Sequence, residues 1–192
     1  AVNGAQYYFF DEKNQKIYDK ELEKQFVEML ENFKPDIVNI FGTEYPRTLA
    51  MLKACTNEKV IITITGAVSI YANHYYGRVP IRYHFPSIKM VLRPIINMPT
   101  LFEGERDFRN RGKYEIESIQ SAKYFIGRTR FDHALIHMYN PTAKYFFCNE
   151  TLRDSFYRTT WRYEYCKKHT IIVPQAGYPI KGFEVFLEAL SI

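Results

Sequence analysis

Cysteine is scarce, and the few that occur are not arranged to bind or pair. Cys55, Cys148 and Cys166 are 3 cysteines in 192 residues, an odd number with no Cys-x-x-Cys spacing. That pattern sets aside a disulfide framework and a zinc knuckle, and it fits a reducing, cytoplasmic compartment. Long apolar runs are also missing: no stretch approaches the roughly 20 residues a helix needs to cross a bilayer. The N-terminal residues lack the basic, apolar and small-residue order of a signal peptide. There is no Gly-x-Ser-x-Gly elbow for a serine nucleophile and no Gly-x4-Gly-Lys-Ser/Thr loop for a nucleotide phosphate. No zinc finger, RNA-recognition signature or base-reading basic helix is present, which argues against nucleic acid as a partner. His133 and His137 stand four apart on one predicted helical face, but no third ligand accompanies them, so no metal site is expected.

A dominant charge of one sign is lacking too. The net charge is +5, and even the densest basic stretch, residues 106 to 113, contains Asp107. That stretch reads either as a solvated face or loop, or as a contact with an anionic surface or pyrophosphate-bearing ligand. The arginines, lysines and rings of residues 82 to 113 carry the expectation of peripheral contact with the inner face of the cell membrane.

What is present is apolar and aromatic material, 46% and 17% of the residues, enough for a full domain core. Gln6 to Phe10 reads as a strand. Leu22, Phe26, Met29, Leu30 and Phe33 recur at helical spacing over residues 19 to 33. Pro35 to Phe41 and Val60 to Ile64 read as strands around a helix that Pro46 can start and that runs to Ala54. The pattern resumes with a strand at Lys123 to Ile126, a helix from Thr129 to Tyr139 stopped by Asn140-Pro141, and a strand at Lys144 to Phe147. Apolar strands alternating with amphipathic helices predict an α/β fold, a Rossmann-like parallel sheet with helices on both faces. Residues 66 to 112 interrupt it with Tyr71, Tyr75, Tyr76, Tyr83, prolines and arginines without clear period. They read either as an acceptor-binding excursion beyond the strand ends or as a helical pair packed on the sheet.

Candidate site residues gather at the predicted strand ends. After Phe41, Gly42 permits close backbone approach, Thr43 can cap the next helix, and Glu44 either favours a helix N-terminus or accepts hydrogen bonds from an acceptor hydroxyl. After Ile64 come Thr65 and Gly66. His74 and Tyr75 are further cleft candidates, with packing inside a helix as the alternative. At the third end, Thr129 and Asp132 form a capping arrangement, and Arg128 is suited to a sugar phosphate or pyrophosphate. Glu150 and Arg153 have the spacing of a helical ion pair.

Near the C-terminus, Thr170 to Gln175 reads as a buried strand, and a turn carrying Lys181 and Gly182 opens a helix. Free backbone N–H groups at such a helix start suit a phosphate. The turn Tyr178-Pro179-Ile180-Lys181-Gly182 resembles the opening of the donor-binding domain in glycosyltransferases of family 4, whose GT-B fold sets two Rossmann-like domains around a cleft. Gly127-Arg128-Thr129, Asn140-Pro141, Asn149-Glu150, Leu152-Arg153 and Phe156-Tyr157 look like the last part of the N-terminal domain in a bacterial polysaccharide-type subgroup of that family.

The resemblance implies an acceptor-side domain over residues 1–150 lacking its first βα unit, linker helices over 151–169, and the first strand-turn-helix of a donor-binding domain over 170–192. It implies sugar transfer, with retained configuration, from a nucleotide-sugar donor to a glycan or lipid-linked acceptor, with no cofactor, no metal and no protein nucleophile. Lys181 and Gly182 would bind the donor phosphates. Thr65 stands where many members have a histidine, and Pro174 to Tyr178 holds no arginine where members usually have one. The Glu-x7-Glu segment of the family has no counterpart, so the chain alone is expected to be inactive. A non-catalytic Rossmann-like binding module and another GT-B enzyme, such as a nucleotide-sugar epimerase, are the alternatives.

Overall fold

A computed structural model of the chain describes residues 4–56, 59–81, 100–174 and 177–191. Four strands, β1 (Ile37–Phe41), β2 (Lys59–Thr63), β3 (Tyr124–Gly127) and β4 (Lys144–Phe147), form one parallel sheet in the order β1-β2-β3-β4. Helix α1 (Lys20–Phe33) precedes the sheet, and α2 (Arg47–Ala54) links β1 to β2. The β2 to β3 connection contains α3 (Val68–Tyr71), a 3-10 turn (Ala72–His74) and the long α4 (Leu101–Ser121). Helix α5 (Arg130–Tyr139) links β3 to β4, and α6 (Asp154–Arg158) and α7 (Phe183–Leu190) follow.

Local chemistry accounts for the helix limits. The Asp19 side chain accepts from the Glu21 N–H at the start of α1, and Lys34 ends that helix in a left-handed conformation. Thr100 and Glu103 form a reciprocal capping box on α4, and Thr129 and Asp132 do the same on α5. The Asn140 side-chain amide closes α5 by donating to the carbonyls of Ile119 and Ala122, which pins the end of α4 beside it.

The strand order decides where the helices can lie. A right-handed crossover that always steps in the same direction returns every helix to the same face of the sheet. The burial pattern follows. Ile62, Ile64 and Phe125 pack with Ile119 of α4 and Leu135 and Ile136 of α5, and Ile40 and Tyr145 join them from the edge strands. Helix α1 extends this layer sideways, burying Leu22, Phe26 and Leu30 against Ala50 and Ala54 of α2, with Val38 of β1 against the same cluster. Residues of opposite parity point the other way and lack such cover: Ile37, Phe41 and Phe146 are 61%, 67% and 48% exposed. The expected α/β parallel sheet is therefore present, but among the described residues the helices pack on one face instead of both.

Three further expectations change. Residues 6 to 10 form no strand; Phe10 instead sets its ring edge-on to Phe26 of α1. Residues 170 to 174 are exposed and form no strand, because among the described residues no strand pairs with them to take up their backbone groups. The linker of 151–169 holds only the five residues of α6 and a 3-10 turn at Tyr163–Tyr165. The basic stretch 106 to 113 belongs to α4, where Arg109 pairs with Glu105 and Arg111 with Asp107. Tyr83 and residues 82–99 of the segment expected to meet a membrane, with Gln175 of the expected strand and Ala176 of the C-terminal turn, lie outside the described residues. Among the described residues no helix is long and apolar enough to cross a membrane.

Candidate functional site

The carboxyl ends of β1 and β2 open into a cleft of about 640 Å³. Glu44, Thr65 and Gly66 line it from the strand exits, Arg47 from the start of α2, Tyr71 and Arg111 from α3 and α4, and Tyr178 and Lys181 from the C-terminal turn. Lys181 and the strand ends, 115 or more residues apart in sequence, thus share one cavity.

Glu44 is held in place by what surrounds it. Thr65 Oγ1 donates to its carboxylate at 2.8 Å, and its own backbone carbonyl accepts from Arg111 Nη1 at 2.9 Å. Gly42, at φ 84°, and Gly66 flank the carboxylate so closely that a Cβ on either would collide with it. Tyr45 lies beneath two guanidinium groups, with Arg47 Cζ 4.5 Å and Arg111 Cζ 4.8 Å from its ring centroid. Arg111 is buried and already engaged, by Asp107 at 3.0 Å and by the Glu44 carbonyl. Arg47 is only partly covered, and it pairs with Glu12 at 3.0 Å.

Behind the cleft a fully buried carboxylate ties the two strand exits together. Glu115 of α4 accepts from Thr43 Oγ1 at 2.9 Å, from the Val68 N–H at 3.3 Å and from the Ser69 N–H at 2.7 Å. It therefore joins the residue before Glu44 to the helix that follows Thr65 and Gly66. Burial pushes its carboxyl above the ordinary value, against the opposing pull of the hydrogen bonds it receives. Gly112, one turn earlier, lets α4 lie against Ser69. This assignment corrects the reading of Thr43 as a helix cap: α2 has no side-chain cap, and the Thr43 hydroxyl goes to Glu115.

The third strand exit is built differently. Asp132 accepts from the backbone N–H groups of Arg128 and Thr129 at 2.8 and 2.9 Å, and the Thr129 hydroxyl accepts from the Asp132 N–H. Donors that could hold a phosphate at the β3 exit are thus satisfied internally. Arg128 pairs with Glu150 at 3.1 Å, so Glu150 reaches across the strand ends and is not in a helical pair with Arg153. Neither Arg128 nor Thr129 lines the cleft. His133 and His137 stack with ring centroids 4.1 Å apart.

The other candidates divide. Tyr75 is buried against Phe108, Tyr76 and Tyr178, where burial raises its hydroxyl pKa; it supports the cleft from behind and does not face into it. His74 is exposed on the 3-10 turn outside the cleft lining. Gly182 adopts φ 72° before α7 and spends its N–H on the Pro179 carbonyl, so it contributes a chain reversal and no free donor. Lys181 does face the cleft, its ammonium 5.4 Å from the Tyr178 ring centroid. The turn is docked by Tyr178 on Phe108 and Tyr75, and α7 by Glu184 on the Arg78 N–H and Glu188 on the Arg78 guanidinium.

Sequence reading passed over Glu115 and Arg47, and took Arg111 only as part of the basic stretch 106 to 113. A signal for the first was available: Phe108, Gly112, Glu115 and Ile119 recur at three- and four-residue steps, which puts the carboxylate on the buried stripe of α4. Arg47 and Arg111 carry no such mark, since each becomes part of the site through Tyr45, from which Arg111 is 66 positions distant. Compared with protein-family models, with curated proteins and with solved structures, the chain matches none.

Proposed function

We propose that the chain is the acceptor-side part of a retaining glycosyltransferase that moves a sugar from a nucleotide-sugar donor to a glycan or lipid-linked acceptor. The observation that carries this reading is the meeting of Glu44 and Thr65 with Lys181 in one cleft at the carboxyl edge of a parallel sheet. Parallel α/β sheets place ligands at this edge. The resemblance of the Lys181 turn and of the β3 to α6 segment to family 4 supports the same assignment, with a GT-B architecture for the whole enzyme.

In this reading each group has a physical task. The Lys181 ammonium offsets the charge that develops on the donor diphosphate as the glycosyl bond breaks. Glu44, oriented by the Thr65 hydroxyl, accepts a hydrogen bond from an acceptor hydroxyl. Tyr71 and Tyr178 give the cleft ring surfaces against which a sugar can lie. The reaction would take place on the cytoplasmic side of the cell membrane.

Sugar transfer by the full gene product, measured over a panel of nucleotide-sugar donors, tests the proposal. Lys181→Ala should lower transfer by about 100-fold or more, the scale for losing one charge-stabilising group. No turnover with any donor, together with unchanged ligand binding in the variant, would replace this reading with a non-catalytic binding module.

A further inference from the structure

Arg47 is the cation in the cleft best placed to change partners. Arg111 is buried, paired with Asp107 and bonded to the Glu44 carbonyl. Arg47 is 45% exposed at its side chain and holds the carboxylate of Glu12. Glu12 comes from outside the sheet and helix layers, in the segment before α1, and its carboxylate is only 13% exposed where it meets Arg47. The same segment is fastened a second time by Lys16 on Asp107 at 3.7 Å, so among the described residues both of its ion pairs are to elements that build the cleft.

We propose that Arg47 is an anion subsite of this cleft and that Glu12 is its internal occupant, a carboxylate that the anionic group of an incoming ligand displaces. The proposal rests on the reading of the cleft as a site for a negatively charged ligand, and it adds to Lys181 a second cation and a built-in competitor. The structure itself displays the chemistry the subsite accepts, because a carboxylate oxygen already sits 3.0 Å from the guanidinium. A guanidinium lying over a ring is held in one orientation and offers its remaining N–H groups as a fork, which suits a carboxylate or a phosphate. Residues 12 to 16 then act as a strap: closed by two ion pairs without ligand, and loosened at Glu12 when Arg47 is claimed.

The strap and the cleft can be tested separately by titrating inorganic pyrophosphate into the chain by calorimetry at low ionic strength, where such pairs are least screened. Glu12→Gln should bind about two- to fivefold more tightly than wild type, the scale of releasing one partly exposed ion pair. Glu12→Asp, which keeps the charge and shortens its reach, should move in the same direction. Arg47→Gln should weaken binding, and adding Glu12→Gln to it should restore nothing. If Lys181→Ala weakens binding while wild type and Glu12→Gln stay equal, the strap is wrong and the cleft reading stands. Absence of pyrophosphate binding in every variant overturns both. A parallel titration with glucuronate separates the sources of the anion. A gain in Glu12→Gln with both probes supports a general anion subsite, and a gain with pyrophosphate alone supports a phosphate group at Arg47.

Discussion

Two strand exits of this sheet look alike in sequence and end up with opposite character. The β1 exit, Gly42-Thr43-Glu44, and the β3 exit, Gly127-Arg128-Thr129, each offer a glycine, a threonine and a charged residue ahead of a helix. At β3 the threonine caps its own helix, Asp132 takes the backbone donors, and Glu150 takes the arginine. At β1 the threonine turns inward to Glu115, which leaves Glu44 at the cleft wall with one hydroxyl holding it. The difference lies in what stands nearby. At β3 an acid three residues on satisfies the backbone donors locally, whereas the β1 threonine is satisfied by an acid 72 positions away, on α4. Local satisfaction closes an exit; remote satisfaction supports one from behind and leaves its face open.

The comparison can be broken most severely at Glu115. Glu115→Ala leaves the Thr43 hydroxyl and the Val68 and Ser69 N–H groups without their acceptor and should cost about 3 kcal/mol or more in urea unfolding. A loss under about 1 kcal/mol would mean that the two exits are not joined through this carboxylate. The pH dependence has a definite sign. Burial raises the Glu115 carboxyl in the folded chain above its ordinary value of 4.5, so the folded state holds that proton more tightly than the unfolded state. The contribution to stability is greatest below about 4.5 and is lost as pH rises through the folded-state value. Glu115→Gln should flatten the stability profile over that window, and an unchanged slope would assign the titration elsewhere.

Gly42→Ala comes next. It places a side chain at φ 84° and drives it against the Glu44 carboxylate, at an expected cost of about 1 to 3 kcal/mol with weakened pyrophosphate binding. Denaturation and calorimetry on one preparation check both effects; stability lost with binding intact would remove Glu44 from the site. Asp132→Ala should cost about 1 kcal/mol in thermal unfolding, the worth of a helix cap, and leave cleft binding unchanged. New pyrophosphate binding in that variant would sharpen the contrast, since it would show that one carboxylate alone keeps the β3 exit closed. Smallest is Arg128→Ala, which removes a half-exposed pair with Glu150 and should cost under about 1 kcal/mol. A pyrophosphate affinity reduced in Arg128→Ala would reverse the assignment of the two exits.

Much of the fold was legible because its signals are short-range. The period of Leu22, Phe26 and Leu30, the apolar runs of β1 to β4, and the Thr129–Asp132 cap each depend on neighbours within a few residues, and each appears in the structure near its expected place. Residues 170 to 174 show the limit of that reading. Their apolar β-branched composition is that of a strand, yet a strand exists only where another supplies its hydrogen bonds, and among the described residues none pairs with them.

The candidate site was legible in part. Glu44, Thr65, Gly66 and Lys181 do meet, whereas Arg128 and Thr129 are engaged among themselves and Tyr75 is absorbed into an aromatic cluster. Sequence by itself determined helices α1, α2, α5 and α7, the four parallel strands, the Thr129–Asp132 cap and the list of polar groups at the strand ends, because propensity and periodicity act over one or two turns; α3 and α4 fall largely in residues 66 to 112, where no clear period marked them. Only tertiary structure decided which sheet face is covered, that Glu115 lies behind the cleft, that Arg47 faces Glu12, and that Lys181 lines the same cleft as Glu44 and Thr65. Those outcomes follow from strand order and from contacts between residues tens to more than a hundred positions apart, where no local preference acts.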